Sequence, residues 1–215
     1  MIELGEYGNP KEISMPVERL DNISQGTRAV KYTIWASHEK PYQVILAKTA
    51  LTSSEAHCIY DAVKRLGSGN YANLGVAAGR STGCIAWGLK YNNHVGKVYA
   101  VDLFNWAHEK YQIVGLKKTL SSVIEYIEFC QGYTHDWGAK LKNLKFKFIF
   151  IDADHNYETC KEDWKLWSPL VEVGGEIAFH DTHMNTVDRV IKEIDYSEWE
   201  QINHIFTLKL FKKIK

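Results

Sequence analysis

The sequence has no net charge, no long apolar run and no internal repeat. Its 215 residues include 26 basic and 26 acidic side chains, so no overall field draws the chain to nucleic acid or to an anionic membrane. No stretch approaches the roughly 18 apolar residues that a membrane span needs, and residues 1–10 lack the apolar core of a signal peptide. We therefore expect a cytoplasmic protein that binds neither nucleic acid nor a membrane.

Cysteine is scarce and widely spaced, with only four residues in the chain. No two of them form a CxxC motif or another close pair, which argues against a zinc module and against a disulfide framework. Free thiols are expected instead. The length suits one α/β domain with a short appendage. We expect a cap or lid at residues 1–50 and a catalytic domain at residues 51–215.

Strand and helix patterns alternate from about residue 40 to the end of the chain. The strands are predicted at residues 71–76, 97–102, 128–133, 146–152, 176–180 and, as one or two closing strands, within 202–214. Helices are predicted between them. This alternation implies right-handed βαβ units and therefore an α/β fold with a mostly parallel sheet.

Several finer expectations follow from the same patterns. Ser53 and Ser54 are predicted to cap the first helix, and Gly174 is predicted to precede a strand. Trp164 and Trp167 are expected in the core because they lie at helical spacing, whereas Trp106 and Trp137 are placed in loops where they can stack on a ligand. One helix is assigned a single apolar stripe made of Leu116, Leu120, Val123, Ile124 and Ile127.

The first strand is followed by a glycine-rich turn, N-L-G-V-A-A-G-R-S-T at residues 73–82. Gly75 and Gly79 permit a tight turn and a close approach to a ligand. The G-x-G-x-x-G motif of dinucleotide folds is absent, since Ala77 and Arg80 occupy two of its glycine positions. A cofactor without phosphates would not need that motif. Asp102, at the end of the next strand, can accept hydrogen bonds from a ribose diol.

Carboxylates and imidazoles follow two later strands. Asp152, Asp154 and His155 come after one strand, and His180 and Asp181 after the next. If the two strands are neighbours, these groups face one crevice, where oxygen and nitrogen donors suit a divalent metal ion. Structural roles are the alternative: Asp154 or Asp181 can cap a helix, and His180 can be a buried histidine bonded to the backbone. His183 is expected at the surface or in a lid.

Four segments together resemble the successive motifs of class I S-adenosylmethionine-dependent methyltransferases. They are N-L-G-V-A-A-G-R-S-T, Y-A-V-D, F-I-D-A-D-H-N-Y-E and G-G-E-I-A-F-H-D-T-H. The branch with F-I-D-x-D-H-x-Y-E and G-G-x-I-x-x-H-D segments is similar to the metal-dependent catechol, caffeoyl-CoA and macrocin-type sugar O-methyltransferases. The resemblance covers residues 50–212 approximately. It implies a Rossmann-like fold with a mostly parallel seven-stranded sheet and helices on both faces.

The resemblance also implies a cofactor site for S-adenosylmethionine. Residues 131–137 resemble the loop beside adenine, and Asp102 takes the position that binds ribose. The family usually carries Glu or Asp at the position of Asn73, which can still form hydrogen bonds. The implied cofactor-binding residues are Asn73, Gly75, Ala77, Gly79, Ser81, Asp102, Leu103, Tyr133 and Asp152.

By the same resemblance, Asp152, His180 and Asp181 fall on the metal-binding positions, for Mg or Mn. The family usually has Asp-Asn or Asp-Asp where this chain has His180-Asp181. The histidine therefore indicates either a softer ion than Mg or a proton carrier. His155 stands where catechol-type enzymes place a lysine base, and an ordinary histidine pKa near 6.5 suits that task. The implied catalytic residues are His155, Asp152 and His180.

These observations predict metal-assisted O-methylation of a small hydroxyl-bearing acceptor such as a sugar. Three alternatives stay open at this point: a nicotinamide-dependent oxidoreductase, a non-catalytic module that binds S-adenosylmethionine or a nucleotide, and metal-independent methyl transfer with a histidine base. A homo-oligomer is compatible with the sequence. Acceptor specificity is expected to reside in loops and in residues 1–50.

Overall fold

The computed structural model describes residues 51–105 and 109–215. The expected N-terminal cap and Trp106 lie outside the described residues. Seven strands form one sheet, in the spatial order β3-β2-β1-β4-β5-β7-β6. The first five strands along the chain are parallel to one another, and β7 is antiparallel to both β5 and β6. The strands are β1 (Gly69–Leu74), β2 (Gly96–Asp102), β3 (Ile127–Gln131), β4 (Phe146–Ile151), β5 (Val171–Phe179), β6 (Trp199–Ile205) and β7 (Leu208–Lys213).

Helices cover both faces of the sheet, and each face has its own apolar core. The helices are α1 (Ser53–Leu66), α2 (Arg80–Tyr91), α3 (Glu109–Thr119), α4 (Thr134–Lys140), α5 (Tyr157–Trp167) and α6 (Asn185–Lys192), with 3-10 turns at Ser121–Tyr126 and Ser168–Leu170. One core joins α1 and α2 to the sheet, and the other joins α5 and α6 to the opposite face. The predicted α/β fold with a seven-stranded, mostly parallel sheet is therefore confirmed. No helix within the described residues is long and apolar enough to cross a membrane.

The first helix begins as predicted, but its cap differs. Thr52, not Ser53 or Ser54, is the N-cap residue, and it forms a capping box with Glu55. The Thr52 side chain accepts from the Glu55 backbone, and the Glu55 carboxylate accepts from the Thr52 backbone. This reciprocal pair satisfies two backbone donors at the helix start. The spacing T-x-x-E was visible in the sequence.

The apolar stripe assigned to one helix belongs to three elements, so that prediction was wrong. Helix α3 ends at Thr119, a 3-10 turn holds the buried Val123, and Ile127 begins β3. Ile127 pairs with Val98 of β2, so pairing to the sheet overrides the helical spacing. The strand predicted after Gly174 also starts earlier, at Val171, and includes both glycines.

Trp137 was predicted in a loop but lies in helix α4. Its Nε1 donates to the Gln131 carbonyl at 3.1 Å, and the Lys140 ammonium lies 4.5 Å from its ring centroid. The ring is therefore held between the end of β3, which provides the carbonyl, and helix α4, which provides the lysine. The two tryptophans expected in the core behave differently from Trp137: Trp167 is fully buried, and Trp164 packs against Phe179.

Asp163 is a buried carboxylate in α5 that the fold leaves unsatisfied. Its exposed fraction is 1%. Within the described residues neither oxygen has a partner at full hydrogen-bonding geometry, and the nearby Thr134 side chain only partly opposes the effect of burial on the pKa of Asp163. Burial raises its pKa from 3.8 to about 6. Folding is therefore penalised at pH values above that pKa, and the penalty disappears as the pH falls below the ordinary value.

We expect Asp163→Asn to raise the free energy of unfolding by about 1–2 kcal/mol at pH 7.5, because it removes a buried, unsatisfied charge. The gain should vanish near pH 4. Urea unfolding at both pH values measures it. Glu162→Gln is the control, because the neighbouring Glu162 side chain is 54% exposed. Equal stability of the Asp163 variant and the wild type at pH 7.5 would contradict this interpretation.

Candidate active site

The strand order reverses between β1 and β4, and the candidate residues lie at this point. From β1 the chain proceeds outward to β2 and β3, and from β4 it proceeds in the other direction. Backbone hydrogen bonds continue past the strand ends, from Gly75 to Val101, from Asp152 to Leu74 and from His180 to Ile151. The segments after β1, β4 and β5 are therefore held side by side. Ligands of open parallel sheets bind at this kind of edge.

The glycine-rich turn after β1 passes directly over the end of β4. Gly75 has φ +89°, and a Cβ there would lie 2.2 Å from the Asp152 carbonyl oxygen. No side chain fits between these two backbones. Gly79 precedes α2 with φ +83°, and Ala77 also has a positive φ of 44°. The turn therefore places backbone at the crevice, next to Asp152.

Asp102 holds this turn in place. One carboxylate oxygen accepts from the amides of Val76 at 2.7 Å and Ala77 at 3.1 Å. The other accepts from the amide of Phe104 at 2.7 Å. A carboxylate has about four acceptor sites, so one remains for a ligand. The structure thus gives Asp102 a supporting role that the sequence did not indicate, alongside its predicted place at the cofactor edge.

Asn73 supports the turn from within the fold. Asn73 is fully buried, and its amide donates to the Gly75 carbonyl at 3.1 Å and to Thr82 Oγ1 at 2.8 Å. Ser81 is buried in the first turn of α2. These contacts link Asn73 to the shape of the turn. They leave its contact with a cofactor as a prediction.

Leu103 and Tyr133 lie on the exposed side of the crevice. Their exposed fractions are 36% and 57%. The segment that carries Tyr133 is joined to the end of β2 by a hydrogen bond from Gly132 to Asp102. The Tyr133 ring stacks on His135, with 5.2 Å between centroids. Leu103 and Tyr133 are therefore both accessible to a ligand bound beyond the ends of β2 and β3.

Asp152, His155 and Asp181 come together beyond the ends of β4 and β5. One ligand atom from each lies within 4.8 Å of the other two. His155 Nε2 is 3.4 Å from Asp152 Oδ1 and 3.0 Å from Asp181 Oδ2. These are ion-pair distances, and among the residues that the structure describes the buried Nε2 has no partner at full hydrogen-bonding geometry. The predicted convergence of the two strand ends is present in the structure.

His180 lies just behind this group and is almost fully buried. Its Nδ1 is 3.2 Å from Asp152 Oδ1 and 3.5 Å from Asp181 Oδ2. Its Nε2 faces the interior, 3.2 Å from Thr207 Oγ1. Three predicted metal-binding residues are thus adjacent, and His155 adds a fourth donor.

Asp181 has a strained backbone conformation, in which its side chain points toward His155. Its φ of 51° is unusual for a residue other than glycine. The flanking amides of His180 and Thr182 are tied to Ile151 and Thr207, which fixes the conformation. The Asp181 carboxylate faces His155, so it does not cap α6. Asp154, in contrast, is exposed, and its carboxylate accepts from the Asn156 amide at 3.0 Å.

Opposite charges determine the protonation of this cluster. The Asp152 and then the Asp181 carboxylates raise the pKa of His155 to about 10. Burial opposes the charging of His180, but its hydrogen bonds to Asp152, Asp181 and Glu55 raise its pKa to about 12. His155 and then His180 lower the pKa of Asp181 below its usual range. At neutral pH both histidines are therefore cations, paired with carboxylates.

Glu55 and Thr207 are parts of the site that sequence analysis missed. Glu55 Oε2 lies 3.6 Å from His180 Nε2. Burial would raise the pKa of Glu55, but hydrogen bonds from His180, Thr52 and Thr207 lower it to about 2. The capping-box spacing could have identified Glu55 as a cap. No local pattern connects either residue to His180.

Comparison with known proteins agrees with this architecture. Three solved structures share the fold. The O-methyltransferase NovP has a TM-score of 0.62 at 15% identity, with 79% of this chain and 83% of NovP covered. An O-methyltransferase from Bacillus cereus in complex with SAH has a TM-score of 0.60 at 19% identity, with 81% of this chain and 90% of the Bacillus cereus enzyme covered. TomG from Streptomyces achromogenes, an O-methyltransferase in complex with SAM, has a TM-score of 0.61 at 13% identity, with 77% of this chain and 82% of TomG covered.

A family model described as a methyltransferase domain matches residues 72–182. That range is more than half of the chain. It begins in β1, includes the glycine-rich turn and Asp102, and ends just after Asp181. The chain therefore belongs to the methyltransferase domain family, with the class I fold of S-adenosylmethionine-dependent enzymes.

Proposed function

We propose that the protein is an O-methyltransferase that uses S-adenosylmethionine and a divalent cation to methylate a small hydroxyl-bearing acceptor. The observation that carries the proposal is the contact between Gly75 and Asp152. It joins the turn that would hold the cofactor to the cluster that would hold the acceptor. A Cβ at Gly75 would lie 2.2 Å from the Asp152 carbonyl oxygen. Two reactants bound on either side would be held close together, which favours transfer between them.

The cofactor half of the crevice fits a nucleoside without phosphates. Asp102 retains an acceptor site for a ribose hydroxyl, and Leu103 and Tyr133 offer exposed apolar surface beside it. S-adenosylmethionine supplies a methyl group activated by a sulfonium centre. The complexes of the Bacillus cereus enzyme with SAH and of TomG with SAM support this choice.

The reacting half fits a divalent cation by its donor set. Asp152 and Asp181 provide carboxylate oxygens, and His155 Nε2 lies 3.4 and 3.0 Å from one oxygen of each. Mixed oxygen and nitrogen donors favour Mn²⁺ over Mg²⁺. A bound cation would act as a Lewis acid on the acceptor hydroxyl. An imidazole that holds the cation through its lone pair cannot also accept a proton, so His155 would serve as the base only while neutral and unbound to the cation. It would become neutral once a bound cation offsets the negative charge of Asp152 and Asp181.

The cofactor assignment is tested by calorimetric titration of the full chain with S-adenosylmethionine. We expect Asp102→Asn to weaken binding about 10–100-fold, because a hydrogen bond to a charged group is worth about 1.5–3 kcal/mol. Glu128→Gln is the control, because Glu128 is exposed on the neighbouring strand. It should bind like the wild type.

Absence of binding by the wild type, for both S-adenosylmethionine and S-adenosylhomocysteine, would refute the proposed function. If Asp102→Asn binds S-adenosylmethionine as strongly as the wild type, the cofactor assignment stands, but Asp102 is not one of the residues that bind it. The measurement is repeated with Mn²⁺ present, so that a cofactor site dependent on the cation is also detected.

A further inference from the structure

A buried line of polar side chains runs behind the proposed cation site. Glu55 is fully buried in the first turn of α1, and His180 is 3% exposed at the end of β5. Thr207, in the turn between β6 and β7, lies between them. Its Oγ1 is 2.8 Å from Glu55 Oε1 and 3.2 Å from His180 Nε2. Three distant parts of the chain therefore meet at one histidine.

The hydrogen bonds of Glu55 determine which of these side chains donates a proton and which accepts it. One carboxylate oxygen accepts from the amide and the hydroxyl of Thr52. The other accepts from the amide and the hydroxyl of Thr207, at 2.9 and 2.8 Å. A carboxylate that receives four donors acts only as an acceptor, and a threonine hydroxyl has a single proton. The Thr207 proton is therefore donated to Glu55.

Thr207 Oγ1 can consequently face His180 only as an acceptor. His180 Nε2 must then be the protonated nitrogen and donate to Thr207. The second nitrogen, Nδ1, faces Asp152 Oδ1 at 3.2 Å and Asp181 Oδ2 at 3.5 Å. A divalent cation held by these carboxylates would lie beside Nδ1 and favour the neutral imidazole. In that form Nδ1 is the His180 nitrogen that has a lone pair, because Nε2 keeps its proton for Thr207.

We propose that Glu55 and Thr207 are positioning residues, which fix the tautomer and orientation of His180 so that its Nδ1 serves as a ligand of the cation. The inference rests on the proposed function, which places a divalent cation between Asp152 and Asp181. Outer partners of this kind orient a ligating imidazole, and their loss typically weakens metal binding about 10–100-fold.

The test is calorimetric titration of the metal-stripped full chain with Mn²⁺. We expect Thr207→Val, which removes the hydroxyl, to weaken Mn²⁺ binding about 10–100-fold, whereas Thr207→Ser, which keeps it, should stay within about threefold of the wild type. Glu55→Gln should weaken Mn²⁺ binding as Thr207→Val does. The glutamine amide can donate to the Thr207 hydroxyl, which would then be able to donate to His180 instead of accepting from it. Thermal melting establishes that each variant is folded.

A tautomer measurement supplies a second readout. With Zn²⁺ as a diamagnetic substitute, two-bond proton–nitrogen NMR correlations should show His180 protonated at Nε2. Protonation at Nδ1 would overturn the inference. So would wild-type Mn²⁺ affinity in folded Thr207→Val, in which case the cation site itself would stand. If the wild type binds neither Mn²⁺ nor Zn²⁺, the inference falls together with the proposed cation.

Discussion

Replacing Asp152 with asparagine is expected to abolish Mn²⁺ binding and to lower methyl transfer about a thousandfold. Asp152 Oδ1 faces both histidines, 3.4 Å from His155 Nε2 and 3.2 Å from His180 Nδ1, and it shares this position with Asp181 Oδ2. Asparagine preserves the shape of the side chain but removes the charge. The variant would therefore lack one ligand of the cation and one of the two carboxylates that face the imidazoles.

Asp154→Asn provides the matched control, since Asp154 is two residues away, exposed and hydrogen-bonded to the Asn156 amide. Mn²⁺ binding is measured by calorimetry, and methyl transfer is measured as release of S-adenosylhomocysteine with a panel of sugars and phenols. The control should behave like the wild type in both assays. Retained Mn²⁺ binding in Asp152→Asn, or an equal loss in Asp154→Asn, would move the cation site elsewhere.

Gly75→Ala is expected to destabilise the protein by at least about 3 kcal/mol, or to prevent folding. The new Cβ would lie 2.2 Å from the Asp152 carbonyl oxygen and 2.8 Å from Ala153 Cα. Both neighbours are backbone, so the end of β4 would have to move. Because that segment carries the acceptor half of the site, any folded fraction should lose affinity for both S-adenosylmethionine and Mn²⁺.

Gly174→Ala is the control that separates the steric clash at Gly75 from the free-energy cost of placing alanine at a positive φ. Gly174 has φ +86°, close to the φ of +89° at Gly75, but a Cβ added at Gly174 would have no neighbouring atom within 4 Å. The control should cost only the about 1–2 kcal/mol of a left-handed residue. Urea unfolding compares the two variants. Equal destabilisation would mean that the close approach of the turn to β4 has no energetic consequence.

The parts of the site that were predictable from the sequence all follow strands. Asp102, Asp152 and Asp181 come at or just after the ends of β2, β4 and β5, and the parallel arrangement of those strands brings their ends to one edge. Local chemistry and strand order were therefore sufficient to predict which residues converge. The alternation of strands and helices likewise predicted the fold class.

The contacts behind the site could not be predicted in this way. Glu55 and Thr207 are 152 residues apart in the chain, and neither lies in a pattern that indicates a contact with the other. The same limitation explains the error at residues 116–127. The spacing of apolar residues there was compatible with one helix, but pairing with β2 decided that Ile127 belongs to a strand.

The contact between Glu55 and Thr207 also bears on the order in which the molecule forms. Strand β7 lies between β5 and β6, so the parallel part of the sheet must be extended by a hairpin from the end of the chain. Contacts of such long sequence separation form slowly, and a chain made on the ribosome carries the glycine-rich turn and Asp152 before Thr207 is synthesised. The proposed high-affinity cation site would therefore be completed last during folding, and cation binding would then report the completed sheet.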